Sequence, residues 1–525
     1  MSPLLLLLGP LALLLAAGLA FAGPGLRPRG ALRAAEGAAL LALAGSGAAA
    51  VLLAQGGAAT AALLPGLAAR LDVVSATMAL LVSGLGWIVL RYAARLLDGD
   101  ARQGTFTGWL ALTLAAVLLM VSAGHVALLA LGWIATAAGL HRLLLFYAAR
   151  PEARRAARKK AFTARLADLA LVAAAALLWW GAGTGDIAAI NAAAAAGTLG
   201  PAAPAAGLLA LAAVLKSALF PLHGWLVESM ETPTPVSALL HAGIVNGGGF
   251  LLIRFADVLL ASPAAMAALA AIGGLSALVG SLVMLTQPAA KTALAWSTVA
   301  QMGFMILQCG FGLWALALLH IVAHSLYKAH AFLSAGTAVA AVEAARRPGP
   351  VAVPSAGAVA RAFALALVIY AAVGLLFGLP AKSPQAVALG AILVLGTAYL
   401  IAQGLADAAP RALARRTAVA SAATALAYFS FQWAAEAATA GTLPLPPAPG
   451  PLEWALIGLA VLSFAAAAWA QATFPLWAGH PAARGLRVHL QNGLYANALF
   501  DRLTRGWAAP AARQPAGSPL PARQP

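Results

Sequence analysis

Residues 208–226 read LLALAAVLKSALFPLHGWL. Roughly three turns of apolar helix precede Lys216, and Pro221 follows five residues on. A proline inside a helix frees a backbone carbonyl and breaks the helix at that point. A charged side chain at the centre of a membrane helix costs about 2.5–3.5 kcal/mol on insertion scales. Such a residue faces a bundle interior or water, and it marks an ion path. A lysine beside a broken helix is hard to explain as scaffold, and it can load and release a proton.

The surrounding chain makes this a membrane setting. Of 525 residues, 62% are hydrophobic and 9% charged, and the mean hydropathy is +0.90. A soluble domain carries roughly 25% charged residues. About fifteen apolar spans recur: 3–22, 35–55, 73–95, 105–122, 125–147, 162–182, 205–222, 236–256, 263–285, 291–310, 313–340, 359–379, 385–405, 413–434 and 453–475. Most approach the ~20 residues that cross a bilayer as helix. They are continuously apolar, which argues against a barrel. The expected class is an all-α polytopic membrane protein. The first span ends in Ala20-Phe21-Ala22, which resembles a cleavage site, but it lacks a basic leading region and is read as an uncleaved helix.

The net charge of +17 is a topology signal. Numbering the loops alternately, one set holds roughly 23 of the 32 basic residues, including Arg150 to Lys160 and the tail arginines. The other set holds Arg70, Arg254 and Lys382. This asymmetry predicts an outside N-terminus, a cytoplasmic C-terminus and no nucleic-acid partner. Three regions are expected: N-terminal helices over 1–72, a translocating membrane domain over 73–475, and a cytoplasmic amphipathic helix with a disordered tail over 476–525. In that tail Leu490, Leu494, Ala498 and Leu503 lie among arginines, which suits docking to a surface or a partner. The single cysteine, Cys309, excludes a disulfide or a cysteine-based metal site within the chain.

Further polar residues sit where lipid is expected. His241 lies in span eight, PTPVSALLHAGIVNGGGFLLIR (233–254), and suits either an interhelical hydrogen bond or a proton relay. In span eleven His320, His324 and Lys328 stand at i, i+4 and i+8 and form one polar stripe, with His330 off it. The His pair could ligate zinc, but no third ligand is near and the lysine would repel a metal. Asp168 in span six is either a local pair with Arg165 or part of the path. Lys291 is read as snorkelling to the surface. Lys382, after Gly378-Leu379-Pro380, is read either as an interfacial lysine or as part of the path. No nucleotide-binding glycine motif and no cofactor site is visible.

These residues carry a resemblance. Lys216-Ser217 with Phe220-Pro221, the run Pro233 to Ala242, Lys291 to Thr298 with Gln301-Met302-Gly303, and His320 through Lys328 resemble the antiporter-like proton-translocating subunits of respiratory complex I and of multi-subunit cation/proton antiporters. The resemblance covers about residues 73–345. It implies two inverted five-helix repeats with broken helices, and a proton axis through Lys216, His241 and the span-eleven set. Two departures stand out. The family's span-five glutamate follows a tryptophan, whereas Trp133 is followed here by Ile134, and the chain has no room for the lateral helix of the largest complex I subunit. The wording Phe220 to Leu226, Met230 to Pro235, His241 to Asn246 and Phe250 to Arg254 looks closest to the DabB family of inorganic carbon transporter subunits. Gly139 to Phe162 looks similar too. That resemblance implies a DabA-like zinc partner of β-carbonic-anhydrase type that hydrates CO2, and an H+ or Na+ gradient entering through this subunit in the cell inner membrane. A subunit of NADH-quinone oxidoreductase or of a sodium/proton antiporter is the alternative.

Overall fold

The structure is a computed structural model and describes residues 2–336, 355–404 and 411–504. Helix dominates. Among the described residues, eleven helical stretches are long and apolar enough to cross a membrane. They include α1 (Leu5–Ala22), α2 (Arg29–Gly56), α3 (Val73–Leu96), α4 (Gln103–Val121), α5 (Val126–Leu144) and α6 (Pro151–Ala182). The others are Thr234–Arg254, Pro263–Met284, Trp314–Leu333, Ala356–Leu376 and Pro451–Ala472. The four remaining apolar spans also carry helix, at Ala202–Lys216, Ala290–Gly310, Pro384–Gly404 and Arg411–Thr439.

One departure from an all-helical chain precedes α3. Strands β1 (Ala59–Leu64) and β2 (Leu67–Leu71) form an antiparallel hairpin with Ala61 opposite Ala69. Sequence reading passed over this alanine-rich stretch. Its signal is the Pro65-Gly66 turn, where Gly66 holds φ +79°, a left-handed conformation suited to glycine. Asp72 then opens α3 with a capping box: its carboxylate accepts from Ser75 N at 2.8 Å, and Ser75 Oγ accepts from Asp72 N at 2.9 Å.

Close helix packing rests on small residues. Between Pro263–Met284 and Ala290–Gly310, a Cβ on Gly280 would stand 2.6 Å from Ala300 N, so the two backbones touch there.

Loop contacts sort into two ends. At one, Arg70 N donates to Ser122 O (2.9 Å), Gly124 N to Ala68 O (2.7 Å) and Val126 N to Gly185 O (2.9 Å). Arg254, at the end of span eight, reaches Asp72 at 2.5 Å, both side chains being buried. Burial alone would raise the Asp72 carboxyl, but the Arg254 charge and hydrogen bond, Arg70 and the Ser75 N–H outweigh it and hold the group well below the usual carboxylate range. At the other end Arg150 pairs with Glu231 (2.7 Å), Lys159 with Glu228 (2.7 Å) and Asp501 (2.6 Å), and Gln287 Nε2 donates to Gln491 O (3.3 Å).

Two sequence expectations change in detail. The basic stretch 150–160 is not a loop but the first turns of α6, entered at Pro151, a favoured first helical residue. The amphipathic tail helix is two helices, Pro481–Gln491 and Ala496–Thr504, separated at Gly493–Tyr495, where Leu494 has φ +54° and Tyr495 φ +60°. The tail arginines beyond 504, the terminal prolines, Arg346 and Arg347 lie outside the described residues.

Candidate functional site

The helix break defines the site. Helix α7 (Ala202–Lys216) stops at Lys216, Ala218 takes φ +51°, and helix resumes as a short turn at Gly224–Val227. In an apolar interior the freed polar groups need partners. Ser276 Oγ accepts from Phe220 N at 3.1 Å, and Ser217 Oγ, at the break itself, donates to Val245 O of span eight at 3.2 Å. Span eight is interrupted too. It runs Thr234–Ala242, turns at Gly243, and continues as Gly247–Arg254. Glycine is required beside the break, because a Cβ on Gly248 would stand 2.5 Å from Ala213 O.

Lys216 is buried, and its Nζ has no hydrogen-bond partner among the described residues. It stands 4.2 Å over the Trp133 ring centroid, a cation–π contact that partly compensates the charge. A narrow cavity leads away from it, lined by Thr136, Asn246 and Ser325 among apolar side chains. Asn246 Nδ2 donates to Ser325 Oγ at 2.9 Å. Ser325 follows His324 on the Trp314–Leu333 helix, so the cavity links the break to the span-eleven stripe.

Beyond it lie the remaining buried polar residues. His241 is fully buried, its Nδ1 lies 3.1 Å from Thr298 Oγ1, and its ring stacks on Phe332 at 4.4 Å between centroids. His324 Nε2 lies 3.1 Å from His241 O. Lys328, also fully buried, donates to Ser297 Oγ at 2.8 Å and Leu294 O at 3.0 Å. The His320 ring is 5.9 Å from that of His324. His330 is exposed on the other face of the same helix. The described residues contain no cluster of three histidine, cysteine or carboxylate side chains able to hold a metal.

The other candidates lie to either side. Asp168 is buried on α6, with Oδ2 3.3 Å from Arg165 Nη1, and is within Coulombic range of Lys216. Lys382 stands apart: it pairs with Glu436 at 2.8 Å in an opening lined by Leu313, Thr439 and Pro444. Lys291 is half-buried at the start of its helix.

Sequence reading missed several members. Asn246, Ser325, Ser297 and Thr298 fall within the motif stretches quoted above, but they are uncharged and none of them was singled out for the path. Lys160 was grouped with a basic loop, yet it is buried and donates to Ala137 O. His223 is buried just past Pro221, its ring 4.4 Å from that of Trp296; its place within the break was the available signal.

Fold and site together define a polytopic α-helical membrane protein with interrupted helices around a buried line of lysine, histidine and hydroxyl groups. The chain belongs to the NADH:quinone oxidoreductase/Mrp antiporter transmembrane family, whose model matches residues 123–402, and within it to the DabB group. It is 40% identical over 458 residues to the probable inorganic carbon transporter subunit DabB2 of Halothiobacillus neapolitanus, covering 86% of this chain and 82% of that one. It is 44% identical over 269 residues to the probable inorganic carbon transporter subunit DabB of Hydrogenovibrio crunogenus, an alignment spanning 51% of this chain and 52% of the relative. A chain in the structure of the Mrp complex from Dietzia sp. shares the fold, with a TM-score of 0.60 at 24% identity, covering 98% of this chain and 64% of that one.

Proposed function

We propose that this chain carries H+ or Na+ across the cell inner membrane and thereby drives inorganic carbon uptake by a zinc-containing partner that hydrates CO2. The observation that carries the reading is the buried line of polar residues from Lys216, across a cavity that Asn246 and Ser325 line, to His241, His324 and Lys328. Ionisable groups there are costly and are kept where ions pass. Lysine and histidine can hand on a proton but cannot supply energy. The gradient does so, at about 2.3 kcal/mol per charge per 100 mV. The carbon substrate and a multi-subunit assembly are supported by the names of the DabB relatives. We place the basic end, with Arg150, Lys159 and the tail helices, in the cytoplasm. Asp168 and Lys382 flank the path, the latter at the opposite end beside Glu436.

The reading is tested by co-expressing the chain with its zinc partner in cells lacking carbonic anhydrase. Growth in ambient air is expected from the pair and from neither chain alone. Absence of growth despite assembly, or NADH-dependent quinone reduction by the purified complex, would overturn it.

A further inference from the structure

The last tail helix, Ala496–Thr504, lies against the first turns of α6 and against the helical turns Gly224–Glu231 that follow the break. Asn497 Nδ2 donates to Glu228 Oε1 at 2.6 Å, and Asn497 Oδ1 accepts from Lys159 Nζ at 2.8 Å. The Asp501 carboxylate pairs with Lys159 at 2.6 Å and with Arg155. Two carboxylates and two basic groups thus balance in one cluster. A Cβ on Gly224 would collide with Asn497 Oδ1, so glycine is what lets the tail come this close. Under the tail, Glu228 keeps its second oxygen, Oε2, buried and without a hydrogen bond among the described residues. Gly493 lies on the Trp296 ring, where a Cβ would stand 2.8 Å from it, and that ring lies 4.4 Å from the buried His223. His223 Nδ1 likewise has no partner among the described residues.

The joint of this cover is strained. Gly493, Leu494 and Tyr495 hold φ +59°, +54° and +60° in succession. Left-handed backbone disfavours leucine and tyrosine and persists only where surrounding contacts hold it. The helix before the joint, Pro481–Gln491, is anchored: Leu490 packs on the main core and Gln491 O accepts from Gln287 Nε2. The helix after it is held by the Asn497 and Asp501 contacts. Release of those contacts strands no buried charge. Lys159 keeps Glu228 at 2.7 Å, Asp501 passes into water, and Arg155 is already 52% exposed.

We propose that Ala496–Thr504 is a lid over the cytoplasmic mouth of the cation path, hinged at Gly493–Tyr495 and latched by Asn497 and Asp501. This rests on the cation-path reading above. With the lid down, Asn497 and Lys159 occupy one oxygen of Glu228, and Gly493 and Trp296 shield His223 from water. With the lid up, Glu228 and the Trp296–His223 pair face the cytoplasm, and the cation exchanges with water just beyond the helix break. The lid must lift in each cycle, so holding it down stops transport without touching Lys216.

The test locks the lid with a disulfide. A Cβ built on Gly224 lies 3.5 Å from Asn497 Cβ, within the separation of about 3.5–4.5 Å that a disulfide needs. The native Cys309 is buried and stays out of the reaction. Cells carrying the full complex with Gly224→Cys, Asn497→Cys are assayed for labelled inorganic carbon uptake after a permeant oxidant and again after a reductant. Formation of the cross-link is confirmed by mass spectrometry. Oxidation should lower uptake by about tenfold or more, as expected where lid opening gates turnover, and reductant should restore it. Each single-cysteine variant should ignore the oxidant. If the cross-linked complex transports at the reduced rate while Lys216→Ala does not transport, the lid is overturned and the path reading stands. If Lys216→Ala transports normally, both fall. Should the double-cysteine variant fail to assemble, amide hydrogen exchange of the purified complex with Asp501→Asn decides. Exchange over 496–504 that is about tenfold faster, with 481–491 unchanged, supports the hinged latch, and exchange equal to wild type overturns it.

Discussion

Replacing Asp72 by asparagine should destabilise the fold far more than the loss of one charge on a membrane surface suggests. Arg254 and Asp72 are separated by 182 residues, and their side chains are 3% and 1% exposed. The bond is made by Arg254 Nη1, and Nε and Nη2 have no hydrogen-bond partner among the described residues. The asparagine therefore leaves a buried guanidinium without an anion, which costs about 3–5 kcal/mol. Arg254→Met should cost less, because Arg70 still reaches the Asp72 carboxylate at 2.6 Å. The double variant Asp72→Asn, Arg254→Met should recover much of the loss, since no charge is then stranded. The pH dependence follows from the depressed Asp72 carboxyl. A depressed folded-state pKa gives stability that is fully present above the unfolded value, about 3.9, and is lost as pH falls through the folded value. The pair should thus hold through neutral and mildly acidic pH and fail only in strong acid. The assay is the fraction of detergent-solubilised protein that remains monodisperse after heating, for wild type, both single variants and the double. Asp72→Asn surviving heat as well as wild type would refute the argument.

Other outcomes follow from the site. Gly248→Val pushes a side chain against Ala213 O at the helix break, so it should cost about 1–3 kcal/mol and lower the heat resistance of the solubilised protein. His241→Ala should reduce carbon uptake at unchanged assembly, because Thr298 Oγ1 keeps a hydrogen bond to Leu294 O and no buried hydroxyl is stranded. Deleting residues 484–525 should release the partner subunit while leaving the membrane helices folded, which co-purification and helical circular dichroism check together.

How far the sequence disclosed this arrangement depended on what each residue costs. Lys216 and Pro221 stood out because a charge and a helix breaker in an apolar run are expensive, and the structure puts an interrupted helix there. The stripe of His320, His324 and Lys328 followed from helical spacing alone. Span eight carried no such signal for its own break, since Gly243 and Gly247 read equally well as close-packing positions. Lys160 stayed hidden because α6 extends its helix through a basic run that looked like a loop. The Asp72–Arg254 and Lys159–Asp501 pairs join residues far apart in the chain, and no local pattern reports such contacts. Asp168 was ambiguous for a related reason: its near neighbour Arg165 was visible in the sequence, while Trp133 and Lys216 came to it only through the fold.

In the proposed coupling a cation moves down its gradient through the buried lysines and drives carbon uptake. Its most direct measurement is labelled inorganic carbon accumulation by cells expressing the complex, with wild-type chain or Lys216→Ala at matched expression, before and after a protonophore and a sodium ionophore. Accumulation should fail in the variant, and in wild type it should collapse with whichever gradient is coupled. Wild-type accumulation in Lys216→Ala, or accumulation that survives the collapse of both gradients, would contradict the account.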